Sequence, residues 1–188
     1  MQSGSVCSHF HIPLQSGSEM ILNMMGRRYS IRSYEQLINR IFEKYPDISL
    51  GTDIIVGFPG EGVKEFNETV SFIEQMPFTY LHVFPYSPRP DTEASNFDHQ
   101  IRDDVKKSRV DSLIKIGTKM KLAYITSQIG NILDVIVEQK DKSSGFYKSI
   151  SDNYLPVFVS SVKLRPRDRI KVRVTSLTDG RLYAEPLE

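Results

Sequence analysis

Ile54-Ile55-Val56-Gly57-Phe58, followed at once by Pro59-Gly60-Glu61, decides the fold class of this 188-residue chain. The run is apolar on consecutive residues and opens on β-branched types. That pattern predicts a parallel strand covered on both faces rather than a strand with one wet side. Pro59-Gly60-Glu61 breaks it. Val63, Phe66, Val70 and Ile73 then recur at helical spacing. Strand, glycine-bearing corner and helix make one βα unit, which opens at Ile48.

The same unit recurs on either side. Upstream, Phe10 to Leu14 is a short apolar run ended by Gln15-Ser16-Gly17-Ser18, with Ser18 placed to cap a helix over Glu19 to Met25. A second helix follows, in which Tyr34, Leu37, Ile38, Ile41, Phe42 and Tyr45 lie on one face and Pro46 ends the run. Downstream, Tyr80 to Tyr86 leads into Ser87-Pro88-Arg89-Pro90-Asp91-Thr92. After an irregular stretch, a long helix runs from Ile101 to Gln128, with apolar positions at Val110, Leu113, Ile114, Gly117, Met120 and Tyr124. Repetition of this kind implies parallel strands with right-handed crossovers. Three strands are too few to close a barrel.

Beyond Gly130 the pattern changes. Ile132–Val137, Gly145–Ile150, Leu155–Val159, Arg169–Thr175 and Arg181–Glu185 are short strand-like runs separated by turn signals, with Thr178-Asp179-Gly180 as a hairpin turn. Five such runs in about 60 residues suggest a small β-barrel. The expected organisation is therefore an α/β domain over 7–128 and an all-β domain over 129–188.

Composition bounds the rest. The chain is 39% hydrophobic and 25% charged, with a net charge of +1, so no global field attracts a polyanion and any basic surface must be local. No stretch approaches the roughly 20 apolar residues of a membrane helix. The opening Met1-Gln2-Ser3-Gly4-Ser5 has no signal-peptide pattern and resembles a cloning leader. A single cysteine, Cys7, excludes an internal disulfide and suits a cytoplasmic location.

In parallel α/β folds, ligands bind at the carboxyl ends of the strands. All three corners there combine glycine or proline with hydrogen-bonding side chains. Any one of them is explained by strand termination alone; three on one rim point to a binding site. His9 and His11, with Cys7, share one strand face and invite a metal site, but no fourth ligand is near and no CxxC or HExxH pattern occurs, so no metal is expected there. His82 lies in an apolar strand, where a core histidine is expected. No nucleophile–base pair and no catalytic carboxylate pair can be defended, so no catalytic residue is assigned.

In the second domain, basic residues occupy every odd position at Lys163, Arg165, Arg167, Arg169, Lys171 and Arg173, opposed only by Asp168. Strict alternation puts Arg169, Lys171 and Arg173 on one strand face and Ile170, Val172 and Val174 in the core. A solvated outer face explains this as readily as a phosphate-binding surface does. Phe146, Tyr147, Tyr154 and Phe158 are nearby aromatics able to stack on bases or to fill the core.

Three stretches carry a resemblance. HFHIPLQSGS at 9–18, with Gly26-Arg27-Arg28-Tyr29 after it, GTDIIVGFPGE at 51–61, with Glu65-Phe66, and LHVFPYSPR at 81–89, with Pro90, Thr92 and Ala94, resemble the radical S-adenosylmethionine (SAM) methylthiotransferase family in order and spacing. The tail from about 128 is similar to the RNA-binding TRAM barrel that ends those proteins.

The resemblance implies the second half of a partial TIM-like radical SAM barrel, of about three parallel βα units, followed by a small all-β TRAM barrel. It implies a full-length enzyme with S-adenosylmethionine and two 4Fe-4S clusters, one generating a 5′-deoxyadenosyl radical and the other supplying sulfur. The product would be a 2-methylthio group on the adenosine beside the tRNA anticodon, with the threonylcarbamoyl-adenosine branch favoured by HFHIPLQSGS and LHVFPYS.

By the same resemblance, Gln15, Ser16, Asp53, Gly57, Phe58, Glu61 and Tyr86 line the S-adenosylmethionine side of the cavity. Arg89 and Asp91 on the rim would face the substrate base, while the alternation in the second domain makes Arg169, Lys171 and Arg173 the candidates for contact with RNA.

The departure from the family is the absence of CxxxCxxC and of the other cluster cysteines. Iron–sulfur clusters need such thiolates, so this polypeptide alone is expected to hold no cluster and to be inactive. Its expected partners are the anticodon stem-loop of tRNA, the missing N-terminal half of the same polypeptide, and a second copy through the sheet edge near residues 9–14. No membrane partner is expected. A stand-alone RNA-binding module and a ribosomal-protein methylthiotransferase are the alternatives.

Overall fold

Strand β2 (Ser49–Val56) lies at the centre of a three-stranded parallel sheet, between β1 (His9–His11) and β3 (Tyr80–Pro85). The computed structural model describes residues 6–141, 144–160 and 163–187. These form two compact units: Phe10–Met120, and the residues before Phe10 together with Lys121 onward.

In the first unit, α1 (Glu19–Met24), α2 (Ile31–Lys44), α3 (Val63–Gln75) and the start of α4 (Asp103–Ser127) follow the strands in the expected order. Leu14, Ile38, Leu50, Ile54, Ile73 and Leu113 are essentially sealed from solvent and form its core. Each such side chain contributes about 2 kcal/mol of transfer free energy.

The helices bury narrower stripes than the sequence pattern implied. On α2, Tyr34 and Ile38 are buried and Ile41 and Tyr45 pack against the core, while Leu37 and Phe42 are exposed. The i, i+4, i+7, i+11 row meets the sheet, and residues one step to either side do not. Val63, at the first turn of α3, and Ile114 on α4 are likewise exposed. Thr69 is buried instead, because its hydroxyl accepts a hydrogen bond from Gly17 N.

In the second unit, β4 (Ile132–Lys140), β5 (Tyr147–Ser151), β6 (Pro156–Val159), β7 (Arg169–Thr178) and β8 (Arg181–Pro186) close a barrel in the order β4-β5-β6-β8-β7. Only the β6–β8 pairing is parallel. Closure removes the sheet edges that a small open sheet would expose. Asp179 and Gly180 both have positive φ, which makes the β7–β8 connection a type I′ hairpin turn. Val135, Val157, Val159, Val172 and Leu182 fill the barrel. The last turns of α4 belong to this unit: Ile125 joins its core, and Tyr124 and Gln128 bond the buried Asn153.

Candidate functional site

The corners after β1, β2 and β3 converge. Two adjoining cavities of about 510 and 600 Å³ share Arg27, Ile55, Tyr86, Thr92 and Ala94 as walls. The first corner contributes Gln15, the second Phe58, and the third Tyr86 and Arg89.

Gln15 has φ +76°, which side chains other than glycine adopt only at a cost. Its backbone bridges to β2 through Asp53 O and Ile55 N, and its side-chain oxygen accepts from Arg27 Nη2 at 3.1 Å. Gly57 has φ +72°, and a Cβ there would lie 2.4 Å from Lys106 Cγ, so this corner requires glycine. Phe58 is buried and meets Tyr86 edge-on at 5.2 Å. The Tyr86 hydroxyl is shielded from solvent and has no hydrogen-bond partner among the described residues.

Ser16 and Glu61 stand apart from these walls. Ser16 is fully buried, its hydroxyl against Thr69 Oγ1 and Ser18 N. Ser18 caps α1 by backbone geometry alone, since its hydroxyl donates to Glu68 Oε2. Glu61 is 1% exposed, and its Oε1 accepts from Gly57 N at 2.8 Å and from Arg109 Nη1. Burial raises the Glu61 pKa, offset in part by the Gly57 amide and Arg109. Both residues brace their corners; neither presents a group to the cavity. The sequence shows residue type at a corner but not which way the side chain turns. Asp91, with φ +64°, is exposed and does not wall either cavity.

Asp53 borders the larger cavity, yet its carboxylate is committed elsewhere. Oδ1 lies 2.8 Å from His11 Nε2 and 3.3 Å from His82 Nδ1. The register pairs Asp53 with His82 across β2 and β3. His82 is thus not a core histidine: its side chain is 54% exposed, on the sheet face it shares with Asp53. His9 and His11 also part company, for His9 stacks on Tyr154 at 4.9 Å while His11 joins Asp53.

On the barrel, Arg169, Lys171 and Arg173 are exposed on one face of β7, while on the other face Val172 and Val174 are buried and Ile170 is partly buried. The opposing carboxylate is Asp134 on β4, 3.9 Å from Arg169 and 3.6 Å from Lys171. Asp168 instead accepts from Arg165 N and braces its own turn. Tyr147 is core, Tyr154 stacks on His9, and Phe146 and Phe158 flank Tyr183 at 5.2 and 5.7 Å. Arg181 covers the Phe158 ring at 5.3 Å. Sequence reasoning missed Tyr183, although alternation in Arg181-Leu182-Tyr183-Ala184 places it outward.

Comparison with known proteins gives these features a context. Residues 2–73 match the Radical SAM superfamily. The chain is 33% identical over 176 residues to threonylcarbamoyladenosine tRNA methylthiotransferase MtaB of Bacillus subtilis (strain 168), covering 92% of this chain and 39% of that protein. It is 37% identical over 152 residues to MtaB of Aquifex aeolicus (strain VF5), covering 81% and 36%. It is 40% identical over 145 residues to a tRNA-2-methylthio-N(6)-dimethylallyladenosine synthase of Pelotomaculum thermopropionicum, covering 77% and 32%. The chain therefore spans no more than 39% of the length of these relatives.

Proposed function

Because this chain belongs to the radical SAM superfamily and is homologous over most of its length to tRNA methylthiotransferases, we propose that it forms one wall of such an enzyme's reaction cavity together with its RNA-binding barrel. The reaction is the addition of a 2-methylthio group to threonylcarbamoyl-adenosine beside the anticodon. The observation that carries the reading is the convergence of all three βα corners on two adjoining cavities.

In this reading Gln15, Arg27, Gly57, Phe58 and Tyr86 contact S-adenosylmethionine, and Arg89 contacts the substrate base. S-adenosylmethionine supplies the radical chemistry when bound. Gln15 orients it by a hydrogen bond, and Phe58 and Tyr86 wall it off from water. The residues present do not fit an iron–sulfur cluster, since Cys7 is the single cysteine of the chain. The clusters belong to another part of a longer polypeptide, and the chain alone is inactive. Arg169, Lys171 and Arg173 take the phosphates of the anticodon stem-loop, in the cytoplasm.

Mass spectrometry of tRNA nucleosides from cells lacking the gene tests this. Loss of 2-methylthio-threonylcarbamoyl-adenosine alone supports it. Loss of the dimethylallyl counterpart moves the assignment to that substrate, and intact tRNA nucleosides reject both in favour of another target. For the barrel, Arg169, Lys171 and Arg173 are changed together to Glu and binding to an anticodon stem-loop is measured at low salt. Unchanged affinity discards the RNA-binding role of this strand.

A further inference from the structure

We propose that His11, Asp53 and His82 form a binding site for one divalent first-row transition-metal ion. It is distinct from any iron–sulfur cluster, since its donors are imidazole nitrogen and carboxylate oxygen. The three donor atoms come from three neighbouring strands and lie within 4.8 Å of one another. Ligands about 2.1 Å from one ion lie at most about 4.2 Å apart. A small rotation of the half-exposed His82 therefore completes the approach.

Three observations fit an ion at this place. First, a single oxygen, Asp53 Oδ1, faces both imidazoles. Among the described residues no lysine or arginine pairs with it, so a cation held there meets no competing positive side chain. Second, His11 Nδ1 lies 3.0 Å from the Tyr80 hydroxyl. The Tyr80 hydroxyl engages Nδ1 and leaves Nε2 turned toward Asp53 Oδ1, 2.8 Å away. An outer hydrogen bond that fixes the imidazole tautomer is the usual companion of a metal-ligating histidine. Third, the arrangement is built in. Gly51 leaves room for the Tyr80 ring, because a Cβ there would fall 2.0 Å from Tyr80 Cζ. Two histidines and one carboxylate leave further positions open for water or a ligand. Asp53 also borders the 600 Å³ cavity, so those positions lie beside it.

The test uses the full chain without a histidine tag, stripped by a chelator. It is titrated with Co²⁺ by visible absorption and with Zn²⁺ by calorimetry. One ion per chain is expected, with Zn²⁺ displacing Co²⁺. His82→Ala and Asp53→Asn should each weaken binding at least tenfold while circular dichroism is unchanged. His82→Ala is the safer variant, as its side chain is half exposed. Tyr80→Phe should weaken binding about tenfold at unchanged stoichiometry, as loss of an outer-shell partner does. Absence of saturable binding overturns the site. So does an affinity that is the same in wild type, His82→Ala and Asp53→Asn, because the ion is then held elsewhere.

Discussion

Arg109 on α4 reaches both the backbone carbonyl and the carboxylate of Glu61, in the corner that follows β2. The pair is nearly sealed from solvent, with Arg109 8% and Glu61 1% exposed. It ties the glycine-bearing corner to the helix behind it, so the cavity wall at Phe58 depends on a contact 48 residues away in sequence.

Breaking that pair leaves a buried charge without its partner. Arg109→Ala should therefore cost about 3–5 kcal/mol of stability, read by urea unfolding. Glu61→Gln should cost less, since an amide oxygen still accepts from Gly57 N and Arg109. The pH dependence separates the two forms. Burial raises the folded-state pKa of Glu61, so this carboxyl's contribution is fully present below its unfolded value and is lost as pH rises through the folded one. The Gln variant has no such loss. Its stability relative to wild type should improve from acid toward neutral pH, and a flat difference would contradict this.

Gly57→Ala meets two obstacles, a φ of +72° and Lys106 Cγ at 2.4 Å. The left-handed backbone alone costs roughly 1–2 kcal/mol. Calorimetry should show a fall of at least several degrees in the melting of the α/β unit, whereas Gly26→Ala, with open space around it, should show the backbone cost alone.

Tyr34 is 5% exposed, its hydroxyl donating to Ile12 O and meeting Thr52 Oγ1. Tyr34→Phe should cost about 1 kcal/mol near neutral pH. Desolvation, chiefly, pushes the Tyr34 pKa up to about 12. The wild-type advantage should therefore hold below pH 10 and vanish as pH rises toward 12, followed by unfolding of both proteins in parallel. A constant difference would mean that the hydroxyl does not ionise with unfolding.

Asp134 neutralises part of the basic face of β7. If that face binds RNA, Asp134→Asn should tighten binding to an anticodon stem-loop, and Lys171→Ala should lower the slope of log K against log salt by about 1. Fluorescence anisotropy across a salt series measures both.

The elements themselves were legible. Consecutive β-branched residues marked β2, helical spacing marked α2 and α3, and Asp-Gly marked the β7–β8 turn, because each signal is local. The convergence of the three corners followed from topology. The roles of Ser16, Glu61 and His82 were not legible. Ser16 and Glu61 lie at corners where a polar side chain turns either to the cavity or to a neighbouring helix, and only Thr69 and Arg109 decide which. His82 lies in a run whose apolar neighbours imply burial, yet its face of the sheet is open.

By itself the sequence determined the order of strands and helices, the outward basic residues of β7, and the absence of cluster cysteines. Those properties depend on residue type and on periods of 2.0 and 3.6, which any short segment carries. The tertiary structure alone decided that Asp53 meets His11 and His82, that Glu61 meets Arg109, and that Asp134 faces Lys171. Such pairs are set by strand register and helix docking, which follow from burying the whole core at once.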